Sequence, residues 1–226
     1  MKTKPVLVWD WDGTLVDTIE YKYHKVWEGV FFGDKEKYKK AVDFLKTSEG
    51  KKMNRYGIIQ NVLNAEEIDK EVSKYACRYK ELSEKFVLNK GVFSGTKEVL
   101  EDLYNKGYSM YIVSGGGTDE DMKRMAKEVG IAKYFKDIFG FSSEASKGFG
   151  KVENFKKIME IESRNNLQDY IVIGDSISDY EFSKEVGTKF IGFLREYNKW
   201  EGYRDKLNLI SDINFLDLKL KNELSQ

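Results

Sequence analysis

Apolar and polar residues follow two different periods along this chain, and the change of period divides the chain into regions. The run Val6–Trp9 is apolar without a break, which is typical of a strand buried on both faces. From residue 16 to about residue 88 the apolar residues recur at spacings of three and four, which predicts helices. After Gly107, short apolar runs alternate with helical stretches. The pattern therefore predicts a sheet domain that is interrupted by a helical segment.

The helical segment contains four predicted helices and no predicted strand. The helices are expected at residues 18–32, 35–46, 56–63 and 66–86. A segment of this length is too long for an ordinary connection between two neighbouring strands. We therefore predict an inserted helical domain at residues 16–92, and a core domain formed by residues 1–15 and 93–226.

The part of the chain after residue 92 predicts a parallel sheet. Strands are expected at residues 108–113, 137–140, 170–173 and 188–193, and helices at residues 96–106, 118–130, 152–162, 179–186 and 213–220. This alternation is typical of a doubly wound α/β fold, in which helices cover both faces of the sheet. Ligands of such folds bind beyond the carboxyl ends of the strands, so the residues that follow the strands are the first candidates for a functional site.

Composition and charge narrow the classes of function. The chain has 226 residues, of which 41% are hydrophobic and 14% aromatic, which is enough to build a buried core. Lysine plus arginine and aspartate plus glutamate both number 38, so neither nucleic acid nor a membrane surface is expected as the main partner. The sequence shows no apolar run of about 18 residues and no signal-peptide core, so we predict a cytoplasmic protein. We also expect either a monomer or a weak dimer.

The chain has one cysteine, Cys77, and one histidine, His24. A single cysteine cannot form an internal disulfide, and the helical pattern around Cys77 predicts a buried apolar role. With a single histidine, histidine-based catalysis and histidine-rich metal sites are nearly excluded. Any chemistry is therefore expected to depend on carboxylates.

Two aspartates, Asp10 and Asp12, follow the first predicted strand and are one residue apart. In an extended chain alternate side chains point to the same face, so these two carboxylates are expected to converge. Two close carboxylates need a divalent cation or a shared proton to relieve their repulsion. Taken alone, the Asp-Gly pair at residues 12 and 13 is also typical of a turn.

Two more predicted strands end in polar residues. Ser114 and Gly115 open a glycine-rich loop whose hydroxyl and main-chain N–H groups suit an anion, although such a loop is often merely flexible. Asp175 and Asp179 follow another strand, where a Gly-Asp-Ser turn is also typical of a helix N-cap. Because the strand ends are expected at one edge of the sheet, these residues together predict a Mg²⁺ site beside a phosphate group.

The same residues, in chain order, resemble the four motifs of the haloacid dehalogenase-like hydrolases. The motifs are Asp10-Trp11-Asp12-Gly13-Thr14, Ser114 at the end of a strand, a loop lysine, and Gly174-Asp175-Ser176-Ile177-Ser178-Asp179. The resemblance covers the predicted core from about residue 5 to 16 and from 92 to 193. The inserted helices resemble the α-helical cap of the phosphoglycolate phosphatase-like and β-phosphoglucomutase-like members. The resemblance implies a Mg²⁺-dependent phosphatase that acts on a small soluble phosphate ester.

Two lysines compete for the role of the loop lysine, which balances the charge of the phosphate. Family members commonly have proline after this lysine, but Lys151 is followed by Val152 and Lys147 by Gly148. We favour Lys151, because it opens a predicted helix and stands at the usual distance before the fourth motif.

The resemblance also implies a role for each motif residue. Asp10 attacks phosphorus and forms an aspartyl-phosphate, while Asp12 protonates the leaving oxygen and then activates water. The residues implied to hold Mg²⁺ are Asp10, Asp12 through its main-chain carbonyl, Asp175, and Asp179 in support. The residues implied to hold the transferring oxygens are Ser114, Gly115 and Lys151.

Other enzymes of this family and one class of non-enzyme are the alternatives. A β-phosphoglucomutase resembles the chain at residues 17–21, but a histidine is expected where Lys22 stands. A phosphonoacetaldehyde hydrolase would have alanine in place of Asp12, which supplies an acid for an ester leaving group. Phosphoserine phosphatase shares the pattern at residues 113–116, but its fourth motif has Gly-Asp-Gly where this chain has Gly-Asp-Ser. A non-catalytic doubly wound binding module would not need the carboxylates and the lysine together.

A basic loop between the second and third predicted helices is the candidate for substrate recognition. It carries Lys51, Lys52 and Arg55, although a solvated surface loop explains the same residues equally well. If the loop contacts the leaving group, its charge favours an anionic one. Arg55 is the strongest candidate, because a guanidinium pairs bidentately with a carboxylate or a phosphate.

Overall fold

The computed structural model describes residues 3–18, 21–47, 49–50, 53–140, 150–195, 200 and 202–225. These residues form two compact units. The core unit contains the described residues of Met1–Asp17, Val92–Glu144 and Gly150–Gln226, and the helical unit contains those of Thr18–Gly91. The predicted boundaries, 15/16 and 92/93, fall beside these divisions, and the assignment of the helical unit as a cap stays a prediction.

The helical unit begins with a π-helical turn, Tyr21–Lys25, and continues with four α-helices in its described residues. Their bounds are Val26–Val30 for α1, Lys35–Leu45 for α2, Arg55–Leu63 for α3 and Lys70–Lys90 for α4. Helices α2 to α4 each begin after a side chain that accepts hydrogen bonds from first-turn N–H groups, and these N-caps are Asp34, Asn54 and Asp69. The apolar faces of the helices pack against one another in a shared hydrophobic cluster.

Two predictions for the helical unit need correction. The helix predicted at residues 66–86 begins at Lys70, because Asp69 caps it, and continues to Lys90. Cys77, predicted to be buried, is exposed on α4, because the buried side of the helix at this level is taken by Ala76. Spacing alone does not define the orientation of a helix closely enough to separate two adjacent small residues.

The core unit contains a six-stranded sheet in which every pair of neighbouring strands is parallel. The strands are β1 Val6–Trp9, β2 Met110–Val113, β3 Asp137–Phe139, β4 Tyr170–Gly174, β5 Lys189–Phe193 and β6 Asn208–Ile210. Their order is β3-β2-β1-β4-β5-β6, so β1 is central, and Trp9 is level with Ile112 on one side and Ile173 on the other. The predicted doubly wound α/β fold is confirmed, and the short edge strand β6 is an addition to it.

Both faces of the sheet are covered. The α-helices that the structure describes in the core unit are α5 Thr96–Asn105, α6 Asp119–Glu128, α7 Lys151–Glu162, α8 Ile177–Val186 and α9 Leu216–Ser225. Helices α7 and α8 bury Phe155 and Phe182 in the cluster that contains Val8 of β1. Leu7 and Trp9 point to the opposite face, because side chains alternate along a strand, and they are also fully buried. None of the helices in the described residues is both long and apolar enough to cross a membrane.

Candidate active site

The first candidate residues lie on a tight turn after the central strand β1. The main-chain N–H of Asp10 donates to the carbonyl of Ile173 at 2.8 Å, which continues the pairing of β1 with β4 by one residue. The chain then folds back, because two later N–H groups donate to the carbonyl of Trp11 at 3.0 and 3.1 Å. Gly13 has a φ of 75°, a left-handed conformation that favours glycine. The turn therefore holds Asp10 and Asp12 at the carboxyl end of the sheet.

Asp175 and Asp179 lie at the end of the neighbouring strand β4. Asp175 follows Gly174, the last residue of β4, and Asp179 lies in the first turn of α8. The Asp179 carboxylate accepts hydrogen bonds from the main-chain N–H of Ser176 at 3.1 Å and from the Ser176 hydroxyl at 2.6 Å. A Cβ atom on Gly174 would lie 2.4 Å from the Cβ of Asp179, so this close approach requires glycine. Both carboxylates are thus buried, and that of Asp179 is also held by the main chain of Ser176.

Three carboxylates meet at this edge of the sheet. Oxygen atoms of Asp10, Asp175 and Asp179 all lie within 4.8 Å of one another. The hydroxyl of Thr14 donates to Asp175 Oδ1 at 3.1 Å and orients that carboxylate. The Asp12 carboxylate is not part of the group of three, but it is close enough to contribute to a raised pKa of Asp10. The ligand atom that the family resemblance implies for Asp12 is its main-chain carbonyl, not its side chain.

Lys151 is the cation of this cluster. It is the first residue of α7 and follows Gly150, whose φ of 62° lets the chain turn into the helix. Its Nζ donates to Asp10 Oδ1 and to Asp179 Oδ1, both at 2.7 Å. Lys147, the competing candidate, lies outside the described residues. The structure thus brings Lys151 to the carboxylates, and the choice of the phosphate-binding lysine stays a prediction.

Lys151 alone does not balance the charge of the cluster. Burial and the Asp179 carboxylate raise the pKa of Asp10 to about 7, against the opposing effect of Lys151. Burial alone would lower the pKa of Lys151, but Asp10 and Asp179 outweigh it and raise that pKa. Among the described residues, these three carboxylates and the Lys151 ammonium leave an excess of negative charge, which a divalent cation relieves. Because the grouped ligand atoms are all carboxylate oxygens, this set of donors fits Mg²⁺.

Ser114 and Gly115 follow β2, the neighbour of β1 on its other side. The Ser114 N–H donates to the carbonyl of Phe139 at 2.9 Å. Its hydroxyl oxygen accepts a hydrogen bond from the N–H of Gly116 at 3.0 Å, which folds the loop over the strand end. The loop of main-chain N–H groups therefore lies at the same edge of the sheet as Asp10.

A glycine at the end of β3 ties this loop to the helix that carries Lys151. A Cβ atom on Gly140 would lie 2.2 Å from the carbonyl oxygen of Gly117, so the two segments are in contact. The Gly140 N–H donates to Asp119 Oδ1 at 2.7 Å, and its carbonyl accepts from Asn154 Nδ2 at 2.8 Å. Asn154 is buried one turn after Lys151 in α7. The sequence analysis did not identify Asn154, because one asparagine inside a helix carries no local signal.

The predicted recognition residues are only partly described. Arg55 is the first residue of α3, directly after the N-cap Asn54, and its guanidinium carbon lies 5.3 Å from the ring centroid of Tyr56. Lys51 and Lys52 lie outside the described residues. The structure thus places Arg55 at the start of a helix, and its role toward a substrate stays a prediction.

Comparison with known protein families identifies the family of this chain. The family model of the haloacid dehalogenase-like hydrolases matches residues 7–193, a range that includes every residue assigned to the predicted site. The chain belongs to this family. Its position as a haloacid dehalogenase-like hydrolase confirms the expectation that the protein is an enzyme.

The relatives of this haloacid dehalogenase-like hydrolase include a curated phosphatase. The phosphoserine phosphatase of Methanocaldococcus jannaschii is 28% identical over 199 residues, which are 83% of this chain and 85% of the relative. A Clostridium difficile protein assigned as a phosphatase superimposes with a TM-score of 0.73 at 21% identity, covering 97% of this chain and 100% of its own. A β-phosphoglucomutase of Clostridium difficile gives 0.70 at 15% identity, with 99% and 100% covered. The two structures establish the fold alone, while the family and the curated relative together support phosphatase function.

Proposed function

We propose that this protein is a Mg²⁺-dependent phosphatase that hydrolyses a small soluble phosphomonoester through an aspartyl-phosphate on Asp10. The observation that carries the proposal is the contact of Lys151 with Asp10 and Asp179, at 2.7 Å each, beside the carboxylate of Asp175. A nucleophile, a cation and metal-ligating oxygens then lie together at one edge of the sheet, and phosphoryl transfer depends on such positioning and charge stabilisation. A binding module without catalysis would have no need of this combination.

The first step of the proposed reaction transfers the phosphoryl group to the protein. A carboxylate oxygen of Asp10 attacks phosphorus, and the bond between phosphorus and the ester oxygen breaks. Asp12 gives its proton to that oxygen, so the leaving group departs as an alcohol. Asp12 suits this role because it lies on the same turn as Asp10 and is only partly buried, so water can reach it.

The second step returns the enzyme to its starting state. Asp12, now a carboxylate, takes a proton from water as the water oxygen attacks phosphorus. The bond between phosphorus and Asp10 breaks, inorganic phosphate leaves, and Asp12 carries a proton again. Covalent catalysis thus replaces one difficult displacement by two easier ones.

Ser114, Gly115 and Lys151 are proposed to hold the transferring oxygens. The Lys151 side chain is 16% exposed, so its charge acts with little screening by water. Each preorganised donor of this kind typically contributes about 3–4 kcal/mol to the stabilisation of the transition state. These donors explain how the site would favour the transition state over the ground state without moving during the reaction.

Mg²⁺ would be held by Asp10 and Asp175, with the main-chain carbonyl of Asp12 as a further ligand and Asp179 in support. When bound, the ion neutralises charge on the phosphoryl oxygens. The protein's own contribution is to keep the three carboxylates within 4.8 Å of one another. Thr14 orients one of them by its hydrogen bond to Asp175.

One observation favours a particular class of substrate. The curated relative of 28% identity is a phosphoserine phosphatase, and phosphoserine carries a carboxylate on its leaving group. The prediction that Arg55 pairs with a carboxylate agrees with such a substrate, although the serine leaving group also carries an ammonium and has no net charge. Phosphoserine is therefore the first ester to test. A β-phosphoglucomutase-like phosphotransferase is the alternative, against which stands Lys22 at the position expected for histidine.

The test measures the release of inorganic phosphate from a panel of phosphomonoesters that includes phosphoserine, sugar phosphates, nucleotides and carboxylate phosphates. We expect release that depends on Mg²⁺, and an acid-stopped reaction should contain protein with one added phosphoryl group by mass spectrometry. The same mass should be absent from Asp10→Asn. Absence of phosphate release from every ester, at any Mg²⁺ concentration, would overturn the proposal.

A further inference from the structure

Arg195 lies shortly after β5 and reaches the turn that carries the proposed catalytic aspartates. Its Nε donates to the carbonyl of Gly13 at 2.8 Å, and its Nη2 donates to the carbonyl of Thr14 at 3.2 Å. These two carbonyls belong to the residues directly after Asp12. A side chain distant in sequence thus holds the main chain of the turn.

The guanidinium is itself held by two aromatic rings. Its central carbon lies 3.8 Å from the ring centroid of Phe93 and 4.6 Å from that of Phe193. Phe193 is fully buried, and the main chain of Phe93 is held by the hydrogen bond from its N–H to the carbonyl of Leu15 at 3.0 Å. A planar cation stacked on aromatic rings donates hydrogen bonds in a defined plane. The two bonds to the turn are therefore geometrically defined.

Thr14 connects this guanidinium to the proposed metal site. Its carbonyl accepts from Arg195, while its hydroxyl donates to Asp175 Oδ1 at 3.1 Å. Thr14 is fully buried, so water does not compete for either contact. Gly13, the residue before Thr14, directly follows Asp12 in the chain. A displacement of the peptide between Gly13 and Thr14 would therefore disturb both Asp12 and Asp175.

We infer that Arg195 is a positioning residue, which holds the main chain of Gly13 and Thr14 so that Asp12 and Asp175 keep their places for metal binding and phosphoryl transfer. The inference rests on the proposed function. Arginine suits this task better than lysine, because only the planar fork donates to two carbonyls while it stacks on aromatic rings.

Arg164 offers a matched control near the opposite end of the same strand. Its guanidinium also donates to a main-chain carbonyl, that of Lys4 at 2.7 Å, but Lys4 lies before β1 and the turn bound by Arg195 lies after it. Removing Arg164 takes one hydrogen bond from the main chain beside β1, and removing Arg195 takes two. Only the loss of Arg195 is expected to displace the carboxylates of Asp12 and Asp175.

The experiment compares Arg195→Ala, Arg195→Lys and Arg164→Ala with the wild type on a phosphomonoester that the wild type hydrolyses. We expect Arg195→Ala to lower kcat and to weaken Mg²⁺ binding, measured by calorimetric titration, each by about 10- to 100-fold, the usual range for groups that orient metal ligands. KM should change little, and Arg195→Lys should lie between Arg195→Ala and the wild type. Arg164→Ala should lower Tm without changing kcat or Mg²⁺ affinity.

A Thr14→Val background tests the route from Arg195 to the metal site. Valine resembles threonine in shape but cannot donate a hydrogen bond to Asp175. If Arg195 acts on Asp175 through Thr14, the loss of Mg²⁺ affinity caused by Arg195→Ala becomes smaller in this background. Fully additive losses would overturn this route.

The outcomes separate the inference from the proposed function. Wild-type kcat and Mg²⁺ affinity in Arg195→Ala, with only a lower Tm, would overturn the inference and leave the proposed function intact. If the wild type hydrolyses no ester, the proposed function fails, and the titration alone decides: weaker Mg²⁺ binding in Arg195→Ala than in Arg164→Ala supports the inference, and no difference overturns it. If Arg195→Ala does not fold, the same comparison is made with Arg195→Lys.

Discussion

The two units of this protein use charged residues in different ways. In the core unit, Lys151 is 16% exposed and Asp179 is 2% exposed, and their charged atoms are 2.7 Å apart. In the helical unit, Lys40 is 50% exposed and Glu36 is 83% exposed, at a separation of 3.6 Å. The buried pair interacts with little screening, whereas the exposed pair is solvated and contributes little to stability.

This difference helps to distinguish charged residues that take part in catalysis from charged residues that only interact with solvent at the surface. Burying like charges costs desolvation free energy, so a cluster such as Asp10, Asp175 and Asp179 is expected where function requires it. The helical unit depends on apolar and aromatic packing, as between Trp27 and Tyr79, whose ring centroids are 4.7 Å apart. Charge substitutions should therefore be severe at the strand ends and mild on most of the helical unit.

Substitution of the proposed nucleophile, Asp10, is expected to give the largest difference in kcat between the two units. Asp10→Asn should lower kcat by at least about 10³-fold, because no aspartyl-phosphate can form. Its Tm should change little, because the relief of repulsion from Asp175 and Asp179 offsets the lost ion pair with Lys151. In the helical unit, Asp43→Asn removes an exposed partner of Lys46 and should alter neither quantity. Steady-state kinetics measures kcat, and thermal unfolding measures Tm. Near-normal turnover by Asp10→Asn would exclude Asp10 as the nucleophile.

Removal of divalent metal should have the next largest effect, and it should act on the core unit alone. Activity should disappear in excess chelator and return with Mg²⁺, while far-UV circular dichroism, dominated by the helices, should stay constant. Ca²⁺ should restore activity poorly, because its coordination is larger and looser. Full activity in excess chelator would contradict the metal assignment.

Substitution of the two lysine candidates sharpens the comparison further. Lys151→Ala should lower kcat by about 10²- to 10³-fold, the usual loss for a donor to a transition-state oxygen. Lys147→Ala should cost far less, since only one lysine can contact the phosphate. Lys40→Ala, an exposed lysine of the helical unit, serves as the control and should be neutral. If Lys147→Ala is the more damaging change, the role passes to Lys147.

Arg55 is the expected exception among the charges of the helical unit. Arg55→Ala should lower kcat/KM for an ester with an anionic leaving group by about tenfold or more, the value of a charge-assisted hydrogen bond. Hydrolysis of p-nitrophenyl phosphate should change little, because its leaving group is uncharged. Arg78→Ala, on the exposed surface of α4, is the control. Equal losses for both esters would show that Arg55 acts on stability or closure and not on specificity.

The smallest expected effect concerns pH and a charge far from the carboxylate cluster. Burial would raise the pKa of Glu162, but hydrogen bonds from Lys136 and Tyr111 outweigh it and lower that pKa below its ordinary value of 4.5. A lowered pKa in the folded state stabilises the protein above the unfolded pKa, and the contribution is lost as pH falls through the folded pKa. The Tm difference between wild type and Glu162→Gln should therefore narrow below about pH 4.5. A constant difference from neutral to acidic pH would contradict the assignment.

Periodicity predicted the fold well wherever an element was long enough to show its period. The parallel sheet and its helices follow from the alternation after Gly107, and helix ends such as Gly187, with a φ of 77°, are marked by residues suited to that conformation. Three residues are too few to show a period, so of the two short edge strands the sequence analysis predicted β3 and missed β6. Cys77 was assigned to the wrong side of α4 for the reason that adjacent positions differ by a fraction of a turn.

The site was predictable only where chemistry coincides with a strand end. Asp10, Ser114 and Asp175 each follow a strand directly, so the fold class alone placed them at one edge. Arg195 was not predicted, because its contact with Gly13 joins residues 182 positions apart and the sequence around Arg195 contains no motif that indicates the contact. Contacts of this kind depend on the packing of whole elements, which local patterns do not contain.

The central place of β1 sets the order in which the molecule is completed during synthesis. Trp9 pairs with Ile112 and Ile173, so the strand lacks one neighbour until Ile173 has been made. At about 5–20 residues per second, the apolar run Val6–Trp9 waits on the order of ten seconds for β4. The described residues of the helical unit all lie between Thr18 and Gly91, so this unit can fold during this interval. A nascent chain therefore presents a folded insert beside an unfinished sheet, and its first strand is the segment most in need of a chaperone.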